Sequence, residues 1–169
     1  IATSTQQVVS LLNDDSISVT DTRKTLPGLR ALQKYAVTSG GGKNHRFRLD
    51  DGVMIKDNHI KAAGSITNAV KTTRNAIGHM VNIEVETENK EQVLEAVQAG
   101  ADVIMLDNRS PNEVKELVSI IPEGIVIEVS GGITPSNIAS YKGCGAHIIS
   151  LGWLTHSVKA LDISFNLNK

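Results

Sequence analysis

Asp102-Val103-Ile104-Met105-Leu106-Asp107 is the stretch on which the fold turns. Four apolar residues in succession leave no solvent face. A strand of this kind is covered on both sides, as in a parallel sheet flanked by helices. The run ends on a carboxylate, and that ending recurs outward from it. Short apolar, β-branched runs at Ile17–Thr20, Gly52–Ile55, Val81–Glu84, Ile125–Val129 and His147–Leu151 read as further strands. They alternate with segments of helical period at Thr3–Leu12, Leu29–Ser39, Ile66–Ile77, Lys90–Ala99, Pro111–Ile121 and Pro135–Tyr141. Asn89, Ser110 and Thr134 stand where N-caps belong, the last two before a proline, and Gly100 and Gly143 stand just past helix ends.

Repeated βα units fit either an open doubly wound sheet or a barrel. The polar residues favour the barrel. Glu84, Asp107, Glu128 with Ser130, and Gly152 lie at the C-terminal ends of successive strands, the face on which barrel enzymes carry their chemistry. A dinucleotide-binding sheet would need a glycine-rich turn after its first strand, and none is there. A complete eight-fold barrel takes about 250 residues. The 169 residues here therefore predict an α/β fold, an incomplete TIM-like barrel over residues 1–161. In the tail, 162–169, Ile163, Phe165 and Leu167 alternate with polar residues and read as a half-buried strand whose partner lies outside this chain.

The chain is 40% hydrophobic and carries a net charge of −1, which offers no whole-molecule attraction to a polyanion or membrane. The charge is unevenly spread. Thr22–Lys61 holds nine Lys/Arg against three Asp/Glu, whereas the remainder holds eight against fifteen. Such asymmetry predicts an anion site from one stretch and carboxylate chemistry from the other. With aromatic content of only 3%, the basic stretch lacks the stacking platforms of a nucleic-acid binder. The single cysteine, Cys144, excludes an internal disulfide and sits among small apolar neighbours, as a buried structural thiol would. No signal peptide or long apolar run is present, which points to the cytoplasm. The start at Ile1, without an initiator methionine, reads as an excised domain.

Candidate chemistry begins with Asp21-Thr22-Arg23-Lys24-Thr25-Leu26-Pro27-Gly28-Leu29-Arg30, two adjacent cations between hydroxyls in a loop punctuated by Pro-Gly. It suits carboxylates or phosphates, although a solvated basic loop has the same composition. In Gly40-Gly41-Gly42-Lys43-Asn44-His45-Arg46 the glycines permit close backbone approach to a ligand and His45-Arg46 supply donors; a flexible hairpin is the plain alternative. Lys56 closes an apolar strand and calls for an anionic partner, while His59 reads as a helix-start or surface residue. Glu84 and Asp107 can chelate Mg²⁺ or accept from sugar hydroxyls, with Glu86 and Glu88 in the solvated loop beyond. The backbones of Ser130-Gly131-Gly132 and Leu151-Gly152-Trp153, with His156, form the phosphate corner of a barrel. His79 and His147 have no partner pattern. Together these groups specify a phosphosugar-binding barrel and leave the reaction open.

Seven segments taken in order extend the reading: the Asp21–Arg30 loop, Gly40–Arg46, Met54-Ile55-Lys56-Asp57-Asn58-His59, Ile83-Glu84-Val85-Glu86, Met105-Leu106-Asp107-Asn108, Glu128-Val129-Ser130-Gly131-Gly132 and Leu154-Thr155-His156-Ser157. They resemble those of the quinolinate phosphoribosyltransferase family over nearly the whole chain. The resemblance implies a barrel of about seven strands that transfers phosphoribosyl from 5-phosphoribosyl-1-pyrophosphate to quinolinate with Mg²⁺, giving nicotinate mononucleotide, pyrophosphate and CO₂. It implies that Arg23, His45, Arg46 and Lys56 hold the quinolinate carboxylates beside Thr22, and that Lys24 and Lys56 reach the pyrophosphate. Glu84 and Asp107 would contact ribose and metal. Lys24, Lys56, Glu84 and Asp107 are the catalytic set so implied, and Ser130, Gly131, Gly132, Leu151, Gly152, Trp153 and His156 the phosphate cradle. Family members also carry a separate N-terminal domain that lends an arginine to a neighbouring subunit's site, so a homodimer or larger homo-oligomer is expected, with the tail packed on that domain. The rivals are a nicotinate phosphoribosyltransferase, the barrel homologue associated with molybdate transport, and a non-catalytic phosphate-binding module.

Overall fold

A computed structural model describes residues 1–167. The chain order is α1 (Ala2–Leu12), β1 (Ser18–Thr20), α2 (Arg30–Ser39), β2 (Val53–Ile55), α3 (Asp57–Ala63), α4 (Ile66–Ala76), β3 (Ile83–Thr87), α5 (Lys90–Ala99), β4 (Val103–Asp107), α6 (Pro111–Val118), β5 (Val126–Ser130), a 3₁₀ turn (Ile138–Tyr141), β6 (Ile148–Ser150) and α7 (Trp153–His156). The strands form one parallel sheet in the order β1-β6-β5-β4-β3-β2. Its edges are β1 and β2, so the barrel stays open between them. Lys43 makes a lone parallel bridge to Thr20 within that gap. Six strands and this bridge stand where about seven strands were expected.

Alternation along the strands separates two interiors. Ile83, Val85, Ile104, Leu106, Ile127, Val129 and Ile149 point outward and are buried under the helices. Val8 and Leu12 of α1, Val93 and Ala96 of α5, and Val114 and Leu117 of α6 complete this core. The opposite parity is polar toward the C-terminal ends of the strands: Glu84, Glu86, Asp107, Glu128, Ser130, Thr20 and Ser150 point into the barrel with Met54 and Met105, above Val103 and Ile148. Barrel interiors are ordinarily filled by branched apolar side chains. This one is reserved for chemistry.

The helices follow local signals. Asn89 accepts from the Gln92 N–H at 2.9 Å, and Ser110 and Glu113 form a reciprocal capping box behind Pro111. Gly100 ends α5 at φ 80°, a left-handed conformation that glycine adopts without a Cβ penalty. Several boundaries differ from the sequence reading. Strand β3 continues to Thr87, because Glu84 and Glu86 share a face and both point inward. The Pro135–Tyr141 helix contracts to the 3₁₀ turn, since Asn137 Oδ1 accepts from the Thr134 N–H and holds a turn ahead of it. Short helices α3 and α7 add to the expected set. Residues 162–167 are irregular and exposed, Ile163 and Phe165 at 83% and 86%, whereas 168–169 of the expected tail strand lie outside the described residues.

Candidate active site

A cavity of about 700 Å³ opens at the C-terminal ends of the strands, within the size range of small-ligand sites. One wall comes from the basic stretch: Thr22, Arg23 and Lys24 after β1, His45 and Arg46 in the sheet gap, and Lys56 after β2. The facing wall comes from the strand ends: Glu86 of β3, Asp107 of β4 and Ser130 of β5. Gly131, Gly132, Leu151, Gly152, Trp153 and His156 close the far corner. The basic and acidic parts of the chain thus meet across one space.

Each wall is held by specific contacts. Arg30 at the start of α2 donates to Arg23 O (3.0 Å), Thr25 Oγ1 (3.0 Å) and Phe47 O (3.1 Å), so its guanidinium ties the Arg23–Lys24 loop to the segment after Arg46. Thr155 Oγ1 donates to Lys24 O at 2.6 Å, joining that loop to α7. Lys56 Nζ is ion-paired with Glu86, which supplies the anionic partner its position required. His59 accepts the Lys56 N–H at 2.9 Å, a helix-start role. Arg46 donates to Gly52 O at 2.8 Å. Burial, followed by the charge of Arg23, lowers the Arg46 pKa, the expected consequence of crowding cations in a site built for anions.

In the far corner the chain turns sharply. Gly131 and Gly132 have φ of 88° and 65°, and a Cβ on Gly131 would lie 2.2 Å from Asn108 Oδ1. Trp153 Nε1 donates to Ile133 O at 2.9 Å and locks α7 against this turn. The N–H groups of Gly131, Gly132, Gly152 and Trp153 have no acceptor among the described residues. Unused backbone donors lining a cavity make an oxyanion cradle.

Beneath this floor His45 Nε2 sits 3.3 Å from Glu84 Oε2 and 3.5 Å from Glu128 Oε2. Burial depresses the imidazole pKa, but hydrogen bonds and charge from Glu128 and Glu84 outweigh it and push it up to about 10. Burial raises Glu84 despite His45. The Arg46 N–H lies 2.8 Å from His45 Nδ1 and fixes the orientation of the ring. His45, Glu84 and Glu128 form one buried cluster. Their ligand atoms lie within 4.8 Å of one another, close enough for a metal ion. A buried imidazole competing through a shared proton nevertheless suits Mg²⁺ poorly, because that ion prefers oxygen ligands and retained waters.

Of the residues singled out from the sequence, Thr22, Arg23, Lys24, His45, Arg46, Lys56, Asp107, Ser130, Gly131, Gly132, Leu151, Gly152, Trp153 and His156 all line the main cavity. Glu84 does not. It lies one inward position lower, 6% exposed, against a smaller cavity in the sheet gap. Glu86, assigned by sequence to a solvated loop, occupies the strand-end position instead. The glycines at 40–42 do not face the cavity. A Cβ on Gly40 would meet Ala2 O at 2.4 Å, and one on Gly42 would meet Val37 Cγ1 at 2.8 Å, so they let α1 and α2 approach this segment. Cys144 is buried, and His147 accepts the Ile127 N–H at 2.9 Å, both structural roles. Asp21, Lys34 and Arg30 organise the site; Asp21 and Arg30 bound the loop segment that the sequence singles out, without a role of their own there, and Lys34 carries no distinguishing signal.

A sequence profile for "Quinolinate phosphoribosyl transferase, C-terminal domain" matches residues 1–166. The chain belongs to this family. It is 58% identical over 167 residues to a Bacillus subtilis protein named as a probable carboxylating nicotinate-nucleotide pyrophosphorylase, covering 99% of this chain and 58% of that one. It is 40% identical over 154 residues to the human carboxylating nicotinate-nucleotide pyrophosphorylase, covering 88% of this chain and 51% of that one. The crystal structure of NadC from Streptococcus pyogenes superposes with a TM-score of 0.91 at 45% identity, over 95% of this chain and 56% of that chain. This quinolinate phosphoribosyl transferase domain therefore spans a little over half the length of these relatives.

Proposed function

We propose that the cavity catalyses phosphoribosyl transfer from 5-phosphoribosyl-1-pyrophosphate to quinolinate, with decarboxylation to nicotinate mononucleotide and release of pyrophosphate and CO₂. The observation that carries this reading is the opposition of Arg23, Lys24 and Arg46 to Asp107 and the Lys56–Glu86 ion pair across one cavity with a free N–H cradle at its end. Such a site matches a dianionic acceptor, a sugar diol and a terminal phosphate simultaneously.

Arg23, Arg46, His45 and Lys56 bind the two quinolinate carboxylates beside Thr22, and Lys24 and Lys56 reach the pyrophosphate. The pyridine nitrogen forms its bond to the anomeric carbon as the bond to pyrophosphate breaks. Positive charge develops on the sugar, and the carboxylates of Glu86 and Asp107 stabilise it while the lysines stabilise the departing anion. The 2-carboxylate then leaves as CO₂, its electron pair remaining on the ring carbon beside the cationic nitrogen until a proton replaces it. The Gly131–Gly132 and Gly152–Trp153 N–H groups, with His156, hold the 5′-phosphate. Glu86 takes the role first given to Glu84.

Asp107 and Glu86 are hard oxygen donors facing the cavity outside the His45 cluster, and they fit Mg²⁺ where that cluster does not. Bound there, Mg²⁺ would neutralise pyrophosphate charge. We also read the active species as a cytoplasmic homodimer or larger homo-oligomer completed by an N-terminal domain. Exposed Leu32, Tyr35, Leu161, Ile163 and Phe165 support it, since apolar surface of this kind is ordinarily covered. No helix among the described residues is long and apolar enough to cross a membrane. The deciding experiment compares quinolinate and nicotinate as acceptors for the full-length protein, following pyrophosphate and CO₂. Quinolinate turnover with CO₂ release is expected; a clear preference for nicotinate overturns the assignment.

A further inference from the structure

Asp21 and Lys34 form a buried ion pair, 0% and 1% exposed, between the end of β1 and the middle of α2. Burying both charges is costly, and well-packed apolar side chains commonly serve a core equally well. Their remaining hydrogen bonds explain where the pair acts. Asp21 Oδ1 accepts the His45 N–H at 2.9 Å, while Lys34 Nζ donates to His45 O at 2.9 Å. The Asn44 amide, oriented by its surroundings, donates to Asp21 Oδ2 at 2.7 Å and Lys34 O at 2.9 Å. Both polar groups of the His45 main chain are therefore gripped by one ion pair.

His45 and Arg46 need such a grip. They lie in the gap between the sheet edges, outside any helix or strand, and the one ladder contact nearby among the described residues is the bridge at Lys43. Their own side chains line the cavity. A shift of about 1 Å in a substrate-binding group can cost about a hundredfold in rate. We propose that Asp21 and Lys34 are positioning residues, an ion-pair clamp on the His45 main chain that sets the geometry of the His45–Arg46 acceptor site. The inference rests on the reading of that site as the quinolinate pocket.

The test uses the full-length enzyme and measures KM for quinolinate and for phosphoribosyl pyrophosphate, kcat and Tm. Lys34→Met is expected to raise the quinolinate KM about tenfold or more, leave the phosphoribosyl pyrophosphate KM within about threefold, and lower Tm by stranding Asp21. The double variant Asp21→Leu/Lys34→Met removes both charges. It is expected to recover most of the Tm but keep the raised quinolinate KM. Recovery of both quantities would make the pair merely structural and overturn the clamp. Should these variants fail to fold, Lys34→Gln, which withdraws the ammonium from His45 O while keeping a polar chain, is expected to raise the quinolinate KM, and an unchanged value in that variant overturns the clamp. An inactive wild type overturns the underlying reading and the clamp with it; an active wild type with indifferent variants overturns the clamp alone.

Discussion

Glu84 and Glu86 differ by one turn of the strand pleat, and that step separates an enclosed carboxylate from one facing substrate. Glu86 lies against Lys56 at the cavity, whereas Glu84 lies beneath the floor against His45. Glu86→Gln is expected to lower kcat by about a hundredfold, the usual scale for losing one preorganised electrostatic group. Glu84→Gln is expected to act mainly on Tm; steady-state kinetics beside thermal melts separates the two. The His45 cluster adds a pH dependence. A histidine whose folded pKa is about 10, raised from 6.5, contributes stability that is complete below pH 6.5 and lost as pH rises through about 10. Tm measured from pH 7 to 11 is expected to fall more steeply for wild type than for His45→Gln, and parallel curves would remove His45 as the cause. Period-two alternation already puts Glu84 and Glu86 on the same face, so the sequence carried the parity. It did not carry the strand's end, because Glu86, Thr87 and Glu88 are polar alike and offer no apolar contrast to mark where the strand stops.

At the scale of elements, the helices with strong caps were legible to within a few residues, as Asn89 and Ser110 illustrate. Those built by tertiary contact were not. Helix α3 has no buried residue to generate a periodic apolar signal, and α7 spans four residues fixed by Trp153 and Thr155 reaching other segments. The triple glycine was misread for a related reason. Its composition announces close backbone approach, but only packing reveals that the neighbour is α1 and α2 instead of a ligand. Gly42→Ala sets a Cβ 2.8 Å from Val37 Cγ1 and 2.9 Å from Thr5 Cγ2, against the buried faces of α1 and α2. A destabilisation of about 1–3 kcal/mol in urea denaturation is expected from such overpacking. Because this segment leads directly into His45, quinolinate KM should rise with it. A stability loss without any change in KM would mean that the loop is held independently of the helices.

Over the whole molecule, the sequence's division into a basic stretch and an acidic remainder is the one long-range feature that survives folding unchanged in meaning. Arg23, Lys24, Arg46 and Lys56 of the basic stretch meet Glu86, Asp107 and Glu128 of the acidic remainder in the cavity, while Asp15, Glu88, Glu91, Glu116 and Glu123 are exposed elsewhere. Charge so concentrated has a thermodynamic consequence. With Arg23, Lys24, Arg46 and Lys56 lining one space, an entering anion meets several cations at once, among them Arg46, whose pKa is lowered first by burial and then by the charge of Arg23. The unfolded chain has no such site, so a polyanionic ligand binds the native state alone and stabilises it by mass action. At a hundred times its Kd the gain is about 2.7 kcal/mol. For a protein of about 150–250 residues each kcal/mol moves Tm by roughly 2–4 °C. Phosphoribosyl pyrophosphate at saturation is therefore expected to raise Tm by about 5–10 °C in a thermal melt. Sodium chloride at equal ionic strength should not reproduce the shift, because screening acts on all charges alike and lacks the directed N–H cradle. Lys24→Ala should lose much of the shift while leaving the ligand-free Tm nearly intact, since this exposed-loop cation has no ion-pair partner among the described residues. A wild type unmoved by the ligand, or one moved equally by salt, would mean that the cavity's cations are held for the fold and not for a phosphorylated substrate.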